Sequence, residues 1–526
     1  MHSADQHRIG RAGALATVAQ AFYPCPMLSL IDTRPFPVAP PRFNLAGHVL
    51  ARALERPDKP ALVLLHPDHD QSIGTHDLVA MVRGLATALL DRGLIPGDRV
   101  LLRLGNGLPF PLAFLGAIWA GLVPVPTSAA LTRAEISKLS ALVAPCLILA
   151  EPGIALPETD APILDPALTT WANLPPAPLD LGDPDREAYV IFTSGTSGTP
   201  MAVSHAHRVI LARAAMHAGW ESLLPDDRLL HAGALNWTYT LGTGLLDPWT
   251  TGATALVPAA GTLPTALPDL LARSKATIFA AAPGVFRQML RRHLPPLPKL
   301  RHGLSAGEAL PDALRKDWHR ATDTDLHEAL GMSEISTFLS GSPSRPAPPG
   351  TAGYVQTGRH VAVLGPDGQP VKRGEPGELA VSTADPGLVR GYIGQPAPQG
   401  AWFRTGDVVQ MASDGAITHL GRKDDLLNAG GFRVSPTEVE TAFHAIPGLL
   451  SCAAAEVEVT PGTRIIALFY EASCDIAPQT LQQCAEKTLA RWKQPRHYQR
   501  LAALPRTANG KITRRALAAS FRKDDP

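Results

Sequence analysis

Tyr189-Val-Ile-Phe-Thr-Ser-Gly-Thr-Ser-Gly-Thr-Pro-Met201 passes from an apolar, strand-like run into a loop of hydroxyls and glycines, and helix-compatible sequence resumes near His207. Gly195 and Gly198 let the backbone approach an anion closely, while Thr193, Ser194, Thr196, Ser197 and Thr199 offer hydroxyl donors around it. The loop resembles a phosphate cradle without its lysine. A P-loop would place Lys and then Ser or Thr after the second glycine, and Thr199-Pro200-Met201 supplies neither. Runs of Ser, Gly and Thr also serve as solvated linkers, so the loop alone leaves both readings open.

Moving outward, strand and helix patterns alternate on both sides of the loop. Ala61 to Leu65 reads as a buried strand, and Leu78, Val82, Leu85 and Leu89 then recur at helical spacing until Gly93. Asp98 to Leu104 predicts a strand, Ala113 to Ala120 lies in an apolar helix, and Val123 to Val125 predicts another strand. The alternation returns with strands at Ala188 to Phe192, Ala253 to Val257 and Thr277 to Ala281, and helices at His207 to Met216 and Thr265 to Ala272. From Gly350 short strands such as Val361 to Leu364 and Glu378 to Val381 suggest a mostly β section. After Gly421-Arg422 the texture changes again. Ser435-Pro-Thr-Glu438 is a capping box opening a helix, Ala455 to Val459 and Arg464 to Tyr470 predict paired strands, and Pro478 to Trp492 a helix.

The fold class expected is therefore α/β. A large N-terminal domain of layered α/β sheets with a β-rich section occupies residues 43–422, and a small α+β domain occupies 423–526. Residues 1–42 read as a partly disordered extension. Its Arg8 to Arg11 and Ala12 to Ile31 loosely imitate a signal peptide, but Gln20, Phe22, Tyr23 and Pro24 interrupt the apolar run. No run of about 18 apolar residues occurs, so no membrane span is expected and the protein reads as cytoplasmic.

Composition narrows the function classes. At 526 residues the chain exceeds one ordinary core, and 45% hydrophobic with 18% charged residues describes a globular protein. A net charge of +1 leaves no electrostatic footprint for nucleic acid, so anion binding must be local. The cysteines at 25, 146, 452, 474 and 484 show no CxxC spacing, which favours a reducing compartment and a packing role for all five.

Several further segments carry chemistry rather than packing. Leu330-Gly-Met-Ser-Glu-Ile335 presents a lone carboxylate beside Gly331 and Ser333; Trp402-Phe-Arg-Thr-Gly-Asp407 ends on an acid; Gly421-Arg-Lys-Asp-Asp425 follows; and Lys511 closes Pro505-Arg-Thr-Ala-Asn-Gly-Lys511. Individually each also reads as an ordinary surface or turn feature. In this order, together with the hydroxyl loop, they resemble the adenylate-forming superfamily of acyl-CoA synthetases, adenylation domains and luciferases, over residues from about 43 to 518. Thr277 to Pro283, Ser305 to Pro311 and Val434 to Glu440 are most similar to benzoate-type and related carboxylic acid:CoA ligases.

The resemblance implies a role for each matching residue. Joining a carboxylate to ATP brings two anions together, so charge must be neutralised first. Glu334 would hold Mg²⁺, with Ser333 beside it as a phosphate donor. Asp407 would accept from the ribose hydroxyls, helped by Arg422, and Gly307, Glu308 and Ala309 would line the adenine slot. Lys511 would bridge the carboxylate and α-phosphate. For a second half-reaction the small domain would rotate at Asp424 and present Gly430, Gly431 and Arg433 to coenzyme A, since paired glycines let a narrow pantetheine arm pass. Gly430-Gly431 also reads as an ordinary turn. By position the acid would lie among Asn236, Trp237, Gly242, Ala306, Gly307 and Ile335, and Trp237 equally reads as core packing. This set lacks Arg and Lys, which disfavours a dicarboxylate. Three positions depart from the family pattern: Met201-Ala202 where Lys-Gly is usual, Leu330 where an aromatic is common, and Asn428 where lysine is common. Losing a cation at 201 should weaken the grip on the outer phosphates by roughly 0.5 to 3 kcal/mol.

The expected activity is ATP-dependent, AMP-forming ligation of a small aromatic or medium-sized carboxylic acid to coenzyme A. One alternative delivers the acyl group to an acyl carrier protein, and one of another class is a nucleotide-binding pseudoenzyme. A homodimer is compatible with either enzyme.

Overall fold

The computed structural model describes residues 27–165, 168–194, 200–423, 425, 427–429, 432–460, 463–506 and 512–522. A nine-stranded sheet organises the large part of the chain. Six of its strands run parallel in the order Asp325–Met332, His302–Ala306, Ile278–Ala281, Arg228–His231, Thr254–Pro258, Pro60–Leu65. Antiparallel strands close both edges: Asp70–Gly74 at one, Ser336–Ser340 and Tyr354–Val355 at the other. The strand order reverses between Arg228–His231 and Ile278–Ala281, and in open α/β sheets ligands gather at the carboxyl ends beside such a reversal.

A second parallel sheet, Val123–Pro126, Arg99–Arg103, Leu147–Ala150 and Ile163–Leu164, stands beside a three-stranded one. The latter pairs Glu187–Ser194 with Pro200–Ala206, and Pro200–Ala206 with Gly391–Tyr392. The helical spacing read near residue 80 forms Thr75–Leu90, whose Leu78, Val82, Leu85 and Leu89 are fully buried. Burying each is worth about 1.5 to 3 kcal/mol. Pro109–Trp119 is apolar all round and buried from Phe110 to Trp119, as a helix enclosed on every side must be.

The β section forms a five-stranded antiparallel sheet: Leu30–Asp32, His360–Leu364, Pro376–Ser382, Trp402–Met411 and Ile417–Arg422. Folding pattern in the sequence was traced only from Phe43; the structure adds the earlier strand, Leu30–Asp32, which pairs with His360–Ala362. Alternation did not reveal it because all three of its side chains lie at or near the surface.

Beyond Arg422, Leu449–Thr460 and Thr463–Ala472 pair antiparallel, and His497–Arg500 adds a parallel strand. Pro436–Phe443, Pro478–Thr488 and Arg514–Ala519 are the helices of this part. Ser435 Oγ caps the first of these, accepting from the Glu438 N–H at 3.2 Å, while the Glu438 carboxylate pairs with Lys493. The helix expected to reach Trp492 stops at Thr488. Leu489 turns extended to bury its side chain, and the Gln494 amide donates to its carbonyl at 2.9 Å. Cysteine also departs from expectation. Cys452 is buried and Cys484 partly so, but Cys146 and Cys474 are exposed, Cys146 at a strand entrance beside the Asp98 carboxylate. Among the described residues no helix is long and apolar enough to cross a membrane.

Candidate functional site

The hydroxyl loop is the tip of the hairpin formed by Glu187–Ser194 and Pro200–Ala206, in which Thr193 stands opposite Met201. Gly195, Thr196, Ser197, Gly198 and Thr199 lie outside the described residues, as does the Ser194 side chain. Thr193 places a buried Oγ1 at the base of the loop with no partner among the described residues. Buried hydroxyls are seldom left unpaired, so an unmade hydrogen bond here fits a group that accepts one on binding.

Glu334 follows the carboxyl end of Asp325–Met332 and is 6% exposed. The Tyr392 hydroxyl donates to its Oε1 at 2.8 Å. Burial and the adjacent carboxylate hold the proton on Tyr392, so this donor persists across the working pH range. Tyr392 stands on the short strand that pairs with Val203, which brings the carboxylate to the hairpin that carries the hydroxyl loop. Ser333 Oγ lies 3.4 Å from Thr238 Oγ1. The sequence reading missed both Tyr392 and Thr238, and neither carries a local signal.

Asp407 is 8% exposed on Trp402–Met411. Burial alone would raise its pKa, but hydrogen bonds from His419 and Thr405 and the charges of His419 and Arg422 hold it below the usual carboxylate range. His419 Nε2 lies 3.2 Å from its Oδ1 and Arg422 Nη1 3.5 Å. Arg422 is directly opposite Asp407 in the strand register, and His419 is opposite Val409. Hairpin register was the one signal that could have found His419.

At the carboxyl end of His302–Ala306, Gly307 adopts a φ of +96°, and a Cβ there would come within 2.8 Å of the Trp237 ring. Glycine thus lets the loop lie flat against the indole. Trp237 also meets Tyr239 edge-on, with ring centroids 5.2 Å apart, and Ala306 belongs to the same buried cluster. Ala309 follows in the same loop, which is tied down where the Leu310 N–H donates to the Glu328 carboxylate at 3.1 Å. Burial pushes Glu328 up to about 7 despite Arg315 beside it. Glu308 lies between two guanidiniums, Arg506 at 3.6 Å and Arg287 at 3.9 Å.

Lys511, Asp424, Gly430 and Gly431 lie outside the described residues, as does the side chain of Arg433, whose backbone pairs with Asn428. An isolated antiparallel bridge joins Arg506 to Ile512, and Arg506 is the residue paired with Glu308.

Gly242, Ser333 and Ile335 line one cavity of about 20 Å³. Asn236 is half-buried nearby in sequence, ahead of the Thr238–Leu241 helix. Of the six positions read for the acid, Gly242 and Ile335 line this cavity, and two cations outside that set, Arg213 and Arg359, line it with them. Arg213 Nε donates to Asp247 Oδ1 at 2.8 Å, Nη2 to Asp247 Oδ2, and Nη1 to Ser336 Oγ. A Cβ at Gly242 would fall 2.1 Å from Nη2, so the absent side chain makes room for the guanidinium. Two π-helical turns flank this pair: His217–Glu221 brings His217 and Glu221 to it, and Gly242–Leu246 ends immediately before Asp247. Such turns recur at functional sites. Arg213 on the otherwise apolar helix Val209–Met216 was the available signal, since a charge on a buried face demands a partner.

A family profile described as AMP-binding enzyme matches residues 49–393. The chain is 28% identical over 524 residues to a benzoate–CoA ligase of Thauera aromatica, covering 92% of this chain and 97% of that one. It is 30% identical over 496 residues to a 4-hydroxybenzoate–CoA/benzoate–CoA ligase of Rhodopseudomonas palustris, covering 86% and 89%. Among solved structures, a benzoate CoA ligase from Burkholderia xenovorans superposes with a TM-score of 0.81 at 26% identity, over 90% of this chain and all of the other. An anthranilate CoA ligase in complex with anthranoyl-AMP shares the fold at a TM-score of 0.82 and 24% identity, over 92% and 98% of the two chains.

Proposed function

Because this chain belongs to the AMP-binding enzyme family, we propose that it is an AMP-forming carboxylic acid:CoA ligase that activates a small aromatic acid. The observation that carries the reading is the hydrogen bond from Tyr392 to Glu334. Through it a buried carboxylate sits beside a hairpin whose Thr193 hydroxyl has no partner among the described residues, while Asp407 and Arg422 face each other on the adjoining sheet. These groups suit a nucleotide: an acceptor for ribose hydroxyls and neutral donors for phosphates. The benzoate- and hydroxybenzoate-ligating relatives support an aromatic acid, and the Trp237 wall beside Gly307 offers a flat apolar surface for one.

Glu334 has one oxygen committed to Tyr392 and would hold Mg²⁺ with the other. A bound Mg²⁺ supplies the positive charge that lets two anions meet. Around it Thr193 and Ser333 donate to phosphate oxygens, Asp407 and Arg422 fix the ribose, and the Gly307–Ala309 loop receives the base. The acid's oxygen attacks the α-phosphorus and pyrophosphate leaves, with Lys511 offsetting the developing charge. Rotation of residues 423–526 about Asp424 then brings Gly430, Gly431 and Arg433 to the site. The thiol of coenzyme A attacks the acyl carbonyl and AMP departs.

The test is a mass-spectrometric screen of carboxylic acids with ATP and Mg²⁺, offering coenzyme A or a phosphopantetheinylated carrier protein as acceptor. Thioester on coenzyme A with stoichiometric AMP is expected. Transfer to the carrier alone would replace the acceptor, and ATP binding without acid-dependent pyrophosphate exchange would refute the enzyme.

A further inference from the structure

The loop from Ala232 to Trp237 links the strand Arg228–His231 to the short helix Thr238–Leu241. That helix lines the cavity described above with Thr238 and Leu241, Gly242 follows it there, and Thr238 is the hydroxyl beside Ser333. Trp237, whose ring lies against Gly307, immediately precedes it. The course of the loop therefore sets where this wall of the site stands. Packing alone fixes little of that course, because Ala234 is exposed and Gly233 has no side chain to bury.

Asn106 supplies the restraint. It follows the carboxyl end of Arg99–Arg103 in the second sheet, and its own loop is pinned where the Gly105 N–H donates to the Glu151 carboxylate at 2.7 Å. From there Asn106 Nδ2 donates to the Gly233 carbonyl at 2.9 Å, and its Oδ1 accepts from the Leu235 N–H at 3.0 Å. One side-chain amide thus satisfies an acceptor and a donor of the same loop. Turned over, it would set donor against donor and acceptor against acceptor, so the pairing fixes its orientation. A carboxylate would lack the donor, and an aliphatic side chain would lack both.

A third bond completes the brace from the other side. His231 Nδ1 accepts from the Gly233 N–H at 3.0 Å, and burial drives its pKa down to about 3, so the ring is neutral and keeps that lone pair. A Cβ at Gly233 would fall 2.1 Å from Thr240 Oγ1, so the loop backbone packs directly on the helix it leads into. We propose that Asn106 is a positioning residue for the acid site: reaching across from the second sheet, it holds the backbone of Gly233 and Leu235 so that Trp237 and Thr238 stand where the acid meets them. The assignment rests on the ligase reading above for the identity of what is positioned.

The experiment compares the wild type with Asn106→Leu, which keeps the shape of the side chain and removes both bonds. For the acid that the screen above turns over fastest, the KM should rise about 5- to 100-fold, the range for two lost neutral hydrogen bonds, while the KM for ATP changes less than about twofold. An equal rise in both constants, or no rise in a folded variant, would overturn the assignment and leave the ligase standing. A second readout needs no turnover: in protein labelled with 5-fluorotryptophan, the Trp237 resonance, identified by its loss in Trp237→Phe, should shift or broaden in Asn106→Leu, and an unchanged signal would count against the brace equally. The third needs no Asn106 variant to fold. In the wild type the Leu235 amide should be protected from hydrogen exchange, and exchange at the rate of an unstructured peptide would overturn the brace outright. Absence of acid-dependent pyrophosphate exchange with every acid would refute the ligase reading and the role in acid binding with it, while the fluorine and hydrogen-exchange results would still decide whether Asn106 holds the loop.

Discussion

His207 offers the sharpest test of the packing beside the hairpin of Glu187–Ser194 and Pro200–Ala206. It is fully buried, its Nδ1 accepts from the Leu45 N–H at 3.0 Å, and its Nε2 has no partner among the described residues. An imidazole accepting through Nδ1 must be neutral, and burial together with the charge of Arg186 drives its pKa from 6.5 to about 3. The unfolded chain therefore binds a proton below 6.5 that the folded chain refuses. Stability from this group is full above pH 6.5 and is lost progressively as the pH falls toward 3. Between about pH 7 and about pH 5 the linkage spans roughly 1.5 units at about 1.4 kcal/mol each, or about 2 kcal/mol. His207→Asn keeps an acceptor for Leu45 and removes the titration. Urea unfolding of both proteins, followed by the fluorescence of the eight tryptophans, should show the wild type losing about 2 kcal/mol more than the variant over that interval. Parallel pH profiles would refute the neutral buried imidazole and the tie it makes to the Leu45–Ala51 helix.

Three further outcomes are expected. Asp247→Asn strands the buried Arg213 guanidinium and should cost about 3 to 5 kcal/mol, read from the urea midpoint; a loss below about 1 kcal/mol would mean the pair is solvated. Met201→Lys places a cation opposite Thr193 and should lower or preserve the KM for ATP in pyrophosphate exchange, whereas a large increase would show a strand position that excludes charge. Lys511→Ala should cut acid adenylation by at least about 10²-fold yet largely spare thioester formation from supplied acyl-adenylate, and equal loss in both halves would remove its assigned role.

Local sequence carried the elements well because backbone preference and hydrophobic period are local properties. The 78, 82, 85, 89 spacing became a buried helix face, and the apolar run before Gly195 became a strand of the hairpin. Contiguous chemistry was legible for the same reason: Glu334 and Asp407 each stand in a short glycine-marked segment, and both are buried acids in the structure. Partners contributed by other elements were not. Tyr392 reaches Glu334 across 58 residues, and Arg213 reaches Asp247 across 34 through two π-helical turns that no periodicity announces. By itself the sequence determined the α/β alternation, the order of the motifs and the absence of a cation at 201. Only the tertiary structure decided that Arg213 is buried beside Gly242 and held by Asp247, because the cost of burying a polar group is settled by which distant side chain arrives to meet it.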